Sequence, residues 1–446
     1  MSVELTTLLI ILNLVLFLLA GFPVAFSLIG VSIIWLISLH GLTVLSIIPA
    51  TIFDTATTEI FIAAPLFIFM AIALERAGIG TLLYEAIHSW TTGIPGGLAV
   101  GTVIASTLIA AMTGIGGTAV LVLGVLAVPE MVRRGYDMKL AIGGLPPGGA
   151  LGVLIPPTVV GVLLGGFAGI PIGSLFFGAA VPGFLIAGLF CVYIIVRCLL
   201  NPALAPRVPV AERPTFRERL YVTRQIFLPG LLIFLVLGSI WWGVATPSEA
   251  AGVGAFGTIL IALLQRKLTF RSFAEILQTS TQVSVMVMTL LAGGALFSRL
   301  LQFSGSARLL SEYIIGIDAG VMGTIVLFLV IIVILGMFID GAAIIFIATP
   351  IMMPVITALG VDSVWFGVML MVCIAIGYVT PPFGMNLFYL RGILDQIRTR
   401  PGMEAVARVS VTDIWAACLP YVFLMVLVVA AILIWPELAT WLPSHM

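Results

Sequence analysis

Lysine is nearly missing from this sequence. The 446-residue chain carries Lys139 and Lys267 alone. Neither closes a GxxxxGK[ST] loop, which excludes a Walker-A nucleotide site in this chain. Histidine is almost as scarce: His40, His88 and His445 stand far apart, none at metal-ligand spacing from another. The four cysteines (Cys191, Cys198, Cys373 and Cys418) lie in apolar stretches without a CxxC pair. They read as small buried hydrophobes, not as a disulfide or zinc framework. HExxH and GxSxG motifs are absent, so no hydrolase is supported. Charge itself is thin, at 9% of residues, where soluble domains carry roughly 25%.

Apolar residues fill the space left by charge, at 61% of the chain. No water-soluble domain of this size hides so much apolar surface. Leu228 to Val244 and Val321 to Phe338 approach the roughly 20 apolar residues that span a bilayer, and Leu140 to Val196 holds no charged residue. The start of the chain lacks the basic flank and cleavage site of a signal peptide, so Leu8 to Ala20 reads as a first membrane helix. The class is an all-α polytopic membrane protein. Met352-Met353 and Met369 to Met371 read as packing residues. Glu249 reads as a first-turn acid suited to the helix dipole.

The chain is written twice. With a constant shift of 225 residues, Gly116 falls on Gly341, Pro129 on Pro354, Gly135 and Asp137 on Gly360 and Asp362, Gly152 on Gly377, and Pro156-Pro157 on Pro381-Pro382. With small gaps, residues 77–85 match 304–312, Pro23 matches Pro247 and Pro182 matches Pro420. The expected organisation is a first repeat over 1–205, a basic connector over 206–227 and a second repeat over 228–446. Each repeat should hold a re-entrant hairpin, at 97–130 and 320–354, followed by a broken helix, at 140–164 and 364–390.

Basic residues orient the two copies, because cytoplasmic loops are enriched in Lys and Arg. The connector carries Arg207, Arg213, Arg217, Arg219 and Arg224, which places it inside. Tracing the spans outward leaves only Arg299 and Arg308, of nineteen basic residues, on the outer face. Loop 131–139 is basic while its counterpart 356–364 is not, and 391–411 holds four arginines while its counterpart 165–173 holds none. Equivalent loops thus fall on opposite faces, the pattern of inverted-topology repeats in secondary transporters. Both termini come out on the outer side. Segments 79–95 and 208–226 read as amphipathic helices at the interface, with Trp90 and the arginines at headgroup level.

The prolines mark the candidate site. Proline has no N–H, so the carbonyl four residues earlier loses its helical donor. Pro156 and Pro157 should free the carbonyls of Gly152 and Val153, and Pro381 and Pro382 those of Gly377 and Tyr378. An unsatisfied carbonyl in hydrocarbon costs several kcal/mol, and Na⁺, which takes oxygen ligands, would offset it. Thr158 and Thr380 could add hydroxyls. A plain proline kink satisfied by neighbouring helices or water is the alternative. The tip Thr113-Gly114-Ile115-Gly116-Gly117-Thr118 has the small residues of a tight membrane turn, and its counterpart is Phe338-Ile339-Asp340-Gly341-Ala342-Ala343. The returning half-helices should expose N–H groups that attract an anionic substrate. Asp340, an acid in an apolar segment, is either a cation ligand or a helix cap. Asn386 is either a site residue or a packing residue.

These motifs identify a resemblance. Pro65-Leu66-Phe67-Ile68-Phe69-Met70, Arg134-Gly135-Tyr136-Asp137, Gly152-Val153-Leu154-Ile155-Pro156-Pro157, Thr246-Pro247-Ser248-Glu249-Ala250-Ala251 and Thr380-Pro381-Pro382-Phe383-Gly384 occur in order along the chain. In these and over nearly its whole length the sequence resembles the large membrane subunit of tripartite ATP-independent periplasmic (TRAP) transporters. The resemblance implies an elevator-type, Na⁺-coupled importer of a small organic acid across the bacterial inner membrane, not an enzyme. It implies a soluble periplasmic substrate-binding protein and a separate small four-helix membrane subunit as partners, with the lipid bilayer and no nucleic acid. It implies cation sites at Thr113, Gly114, Gly116 and Gly117 with Gly152, Val153, Leu154 and Ile155, and at Ile339, Asp340, Gly341 and Ala342 with Gly377, Tyr378, Val379 and Thr380. Thr118, Thr158 and Asn386 are the candidates for the substrate. The first tip departs from the serine-rich form of some members. A stand-alone Na⁺/dicarboxylate transporter and a channel-like or structural membrane protein are the competing readings.

Overall fold

Apolar runs punctuated by proline and glycine become helices in the computed structural model. It describes residues 2–114, 116–206, 208–209, 213–266, 268–317 and 319–446, and no strand occurs among them. Of the basic residues used to orient the chain, Arg207 and Lys267 lie outside the described residues, as does Ile115 of the first tip.

The first half runs α1 Val3–Leu19, α2 Val24–His40, α3 Ile47–Ala56, α4 Ala63–Arg76, α5 Ile79–Thr91, α6 Gly97–Thr113, α7 Gly116–Arg133, α8 Met138–Gly143, α9 Leu145–Ala150, α10 Val159–Ala168 and α11 Ile172–Leu200. A connecting helix, α12 Phe216–Gln225, leads to α13 Phe227–Trp241, α14 Pro247–Leu264, α15 Phe270–Phe303 and α16 Ser306–Gly316. The second half closes with α17 Gly320–Gly336, α18 Gly341–Ala358, α19 Ser363–Gly377, α20 Met385–Ile397, α21 Glu404–Ala407 and α22 Val411–Ile434. Helix over 208–226 is realised only from Phe216, where the Thr215 hydroxyl caps the Glu218 N–H and Glu218 answers to the Thr215 N–H. That exchange holds the Glu218 carboxyl below the usual carboxylate range. Helix α15 is the longest of the described helices, at 34 residues.

Residues matched by the 225-residue shift make the same local structure. Asp137 and Asp362 both cap their helices, accepting from Leu140 N at 3.1 Å and Trp365 N at 2.8 Å. Gly135 and Gly360 take left-handed φ of 74° and 66°, where a side chain would clash with the following carbonyl. Pro129 and Pro354 sit inside α7 and α18. The Pro156-Pro157 and Pro381-Pro382 peptides are both cis.

Packing repeats in the same way. Helix α2 lies on α15 and α4 on α14; hairpin α6–α7 packs on α9, and α17 of the other hairpin packs on α19. The returning helix of each hairpin then crosses to the other half: α7 packs on α20, and α18 on α10. The two halves therefore interlock at the hairpins.

Helices α11, α14, α15, α18 and α22 are long and apolar enough to cross a membrane. Helices α6 and α17 have 17 residues each, about 25 Å at 1.5 Å per residue, short of the roughly 30 Å hydrocarbon core. Helix α6 is buried along nearly its whole length, while α17 exposes Val326, Val330 and Ile334. That outer face is apolar, as contact with lipid requires.

Candidate functional site

Both interruptions fall where the prolines dictate. In the first half the helix tightens to a single turn at Leu151–Val153 and stops. The N–H groups of Leu154 and Ile155 both donate to the Leu151 carbonyl, at 2.9 Å each. Pro156 and Pro157 offer no N–H. Among the described residues no turn or loop hydrogen bond reaches the Val153 carbonyl. The chain restarts at α10, where the Thr158 hydroxyl accepts from Gly161 N at 2.9 Å.

The second interruption corrects one expectation. The Gly377 carbonyl accepts from Thr380 N at 3.2 Å, and the Tyr378 carbonyl accepts from Asn386 N at 3.0 Å. The backbone loops past Pro382 and α20 begins close enough to return a donor, so neither carbonyl is left without one. Gly384 N also donates to the Met337 carbonyl at 3.0 Å, tying this break to the second hairpin tip.

Asp340 occupies the start of α18. Its Oδ2 accepts from Ala342 N at 2.9 Å, and its Oδ1 accepts from the Tyr378 hydroxyl at 3.0 Å. That hydroxyl in turn accepts from Gly341 N at 2.8 Å. The aspartate is therefore the helix cap. The expected anion-attracting end of α18 is changed by it: the first two N–H groups are taken, and the end presents a carboxylate. The Tyr378 side chain was not singled out from sequence, where only its carbonyl carried a signal.

A cavity of about 90 Å³ lies where the two halves meet. Gly114 and Gly117 reach it from the first tip, Asp340 and Ala342 from the second. Val153, Val159 and Val160 line it from the first break, and Tyr378, Asn386 and Tyr389 from the second. Leu163 of α10, Met385 of α20, Ile68 of α4 and Val283, Met286 and Val287 of α15 also line it. Among the described residues no lysine, arginine or histidine lines it. Its polar groups are the Asp340 carboxylate, the Asn386 carboxamide and two tyrosine hydroxyls. The volume suits a few waters or an ion, and is smaller than the roughly 300–1,000 Å³ of organic-ligand pockets.

Asn386 joins the halves. It is 1% exposed, its Nδ2 donates to the Pro146 carbonyl of α9 at 2.9 Å, and its buried Oδ1 has no partner. The amide thus ties one half to the other, and the residue also lines the cavity. We predict that Asn386→Leu costs about 0.5–1.5 kcal/mol by removing the hydrogen bond that ties α20 to α9, read as a lowered midpoint in thermal unfolding of the purified chain.

Other expected site residues lie elsewhere. Thr380 donates its hydroxyl to the Ile376 carbonyl at 2.6 Å and faces an apolar groove with Cys373 and Val426, not the cavity. The Thr113 hydroxyl donates to Ile109 O at 3.0 Å. Gly152 is pressed against Ala110, Gly377 against Gly336, and Gly341 against the Tyr378 hydroxyl. Leu154, Ile155 and Val379 are buried in the core. Thr118 and Ile339 belong to the tips without lining the cavity. Tyr389, Met385 and the α15 residues were missed; Tyr389 lies three residues past Asn386, the only signal that pointed to it.

Comparison with known proteins agrees with this architecture. The family model described as "Tripartite ATP-independent periplasmic transporter, DctM component" matches residues 11–438. The C4-dicarboxylate TRAP transporter large permease protein DctM of Vibrio cholerae is 27% identical over 446 aligned residues, covering 95% of this chain and 94% of that protein. The ectoine TRAP transporter large permease protein TeaC of Halomonas elongata is 27% identical, covering 95% and 96%. In fold, the chain is similar to the YdaH transporter of Alcanivorax borkumensis, with a TM-score of 0.67 at 14% identity over 98% of each chain.

Proposed function

This chain belongs to the tripartite ATP-independent periplasmic transporter family as a DctM component, and on that premise we propose that it imports a small organic acid in symport with Na⁺. It is a multi-pass protein of the bacterial inner membrane, and its relatives are permeases, not enzymes. The relatives named for C4-dicarboxylate and for ectoine motivate a carboxylate-bearing substrate. The partners we infer are the small four-helix membrane subunit and the soluble periplasmic binding protein.

One observation carries the reading: two hairpin tips and two broken helices converge on one cavity whose polar side chains include the carboxylate of Asp340 and Asn386 with its unpartnered Oδ1. Such a set suits a hard monovalent cation. Asp340 supplies charge, Asn386 Oδ1 a neutral oxygen, and the Val153 carbonyl a backbone oxygen without a helical donor. The substrate carboxylate is assigned to the start of α10, where Val159 and Val160 begin a helix whose first N–H groups have no preceding turn to satisfy them. With no basic side chain in the wall, the cation itself supplies the balancing charge, which links the two solutes.

Organic acid does not fit the present volume, so loading requires the tips to part. We read the halves 1–205 and 228–446, joined through 206–227, as inverted repeats whose hairpins and broken helices travel together in an elevator motion against α2, α4, α14 and α15. In proteoliposomes holding this chain and its small subunit, uptake of a radiolabelled C4-dicarboxylate should require both the binding protein and an inward Na⁺ gradient. Equal uptake from choline medium would reject Na⁺ coupling, and uptake by this chain alone would favour a stand-alone carrier.

A further inference from the structure

Helix α12 turns away from α13 by 52°, so a short polar helix leaves the end of a membrane span at a steep angle. Its inner side is fastened to α5. The Trp90 indole N–H donates to the Thr223 hydroxyl at 2.9 Å. The Arg219 guanidinium lies 5.7 Å from the Trp90 ring centre, and Phe216 meets that ring edge-on at 6.0 Å. Trp90, Arg219 and Thr223 thus account for one flank of the helix.

The adjoining arc is exposed among the described residues, with Phe216, the residue that also meets Trp90, at its edge. At 100° per residue, Phe216, Leu220, Arg224, Arg217 and Tyr221 follow one another around a continuous arc, and all five are exposed. Phe216, Leu220 and Tyr221 are 69%, 56% and 69% exposed. Among the described residues no carboxylate lies within ion-pair distance of Arg217 or Arg224. Glu218, the acid on this helix, is occupied by the cap at Thr215. Large apolar side chains interleaved with unpaired arginines, beside the end of a membrane span, match the boundary where acyl chains meet phosphates.

We propose that this flank of α12 binds acidic phospholipid headgroups, with Arg217 and Arg224 on the phosphates and Phe216, Leu220 and Tyr221 in the upper acyl region. The bound lipids would hold α12, and through Trp90 the helix α5, in place beside the first hairpin, since α5 packs on α6. The surface thus serves as a footing for the half of the molecule that carries the first tip. This does not depend on which solute the cavity takes.

The test is thermal unfolding of the purified full chain in uncharged detergent micelles doped with dioleoylphosphatidylglycerol or dioleoylphosphatidylcholine. The anionic lipid should raise the midpoint and the zwitterionic lipid should not, with the half-effective mole fraction rising as salt is added. In Arg217→Gln/Arg224→Gln that mole fraction should rise about 25-fold, fivefold per arginine, the equivalent of about 1 kcal/mol each near an anionic surface. Arg217→Lys/Arg224→Lys, which keeps the charge, should stay near wild type and controls for misfolding. Equal stabilisation by both lipids, or a Gln variant that responds like wild type, would overturn the proposal. The same effect from millimolar glycerol 1-phosphate would show a free-phosphate site and overturn it as well.

Discussion

Asp340→Asn weakens the apparent Na⁺ affinity of reconstituted uptake by about 10- to 100-fold, the range expected when a charged group leaves an interaction worth roughly 1.5–3 kcal/mol. Folding should change little. Asn caps helices about as well as Asp, and its side-chain oxygen can still accept from Ala342 N, now 2.9 Å from the carboxylate. The amide nitrogen then faces the Tyr378 hydroxyl, which now stands 3.0 Å from Oδ1, and donates to it where the carboxylate accepted. The substitution therefore separates charge from capping. The decisive measurement pairs a Na⁺ titration of uptake with thermal unfolding of the same preparation. An unchanged Na⁺ titration would remove Asp340 from the cation site and leave it a cap alone. A collapse in both would make it structural.

Gly377→Ala should destabilise the chain by about 1–3 kcal/mol or more, the range for overpacking a tight interior. A Cβ there would stand 2.6 Å from the Gly336 Cα and 2.7 Å from its carbonyl carbon. Both are backbone atoms, which cannot swing aside as a side-chain end can. Intrinsic propensity runs the other way, since Ala favours a helix over Gly by roughly 1 kcal/mol, so any loss comes from the contact between α17 and α19. Gly392→Ala is the control: a Cβ there meets nothing within 4 Å, and the change should be neutral or slightly stabilising. Thermal unfolding of the two variants side by side checks this, and equal midpoints would refute the close-packing account.

Much of the architecture can be read along the chain because the cause is local. Asp137 and Asp362 stand three residues before the N–H they cap, Gly135 and Gly360 sit where the backbone turns left-handed, and the Pro-Pro pairs interrupt helices without any partner's help. Such effects need only neighbours in sequence, so a gapless match at a shift of 225 residues carries them into space. Asp340 illustrates the edge of that information. Its position at a hairpin tip was evident, but that it caps α18 is seen only with Ala342 and Tyr378 around it.

Partnerships beyond the regular helical donor were another matter. The carbonyls of Gly377 and Tyr378 looked orphaned when only the i+4 donor was counted, yet one finds Thr380 and the other Asn386 once the loop folds back. Thr380 looked like a ligand and instead faces the apolar groove.

Membership of the membrane class, the doubled plan and the position of each break follow from hydropathy and proline chemistry, which act over a few residues and need no folded chain. Which oxygens share the cavity, with Asn386 of one half tied to Pro146 of the other, was set by the crossing of α7 on α20 and α18 on α10. Contacts between residues hundreds apart depend on how whole helices dock, and no short-range rule encodes that.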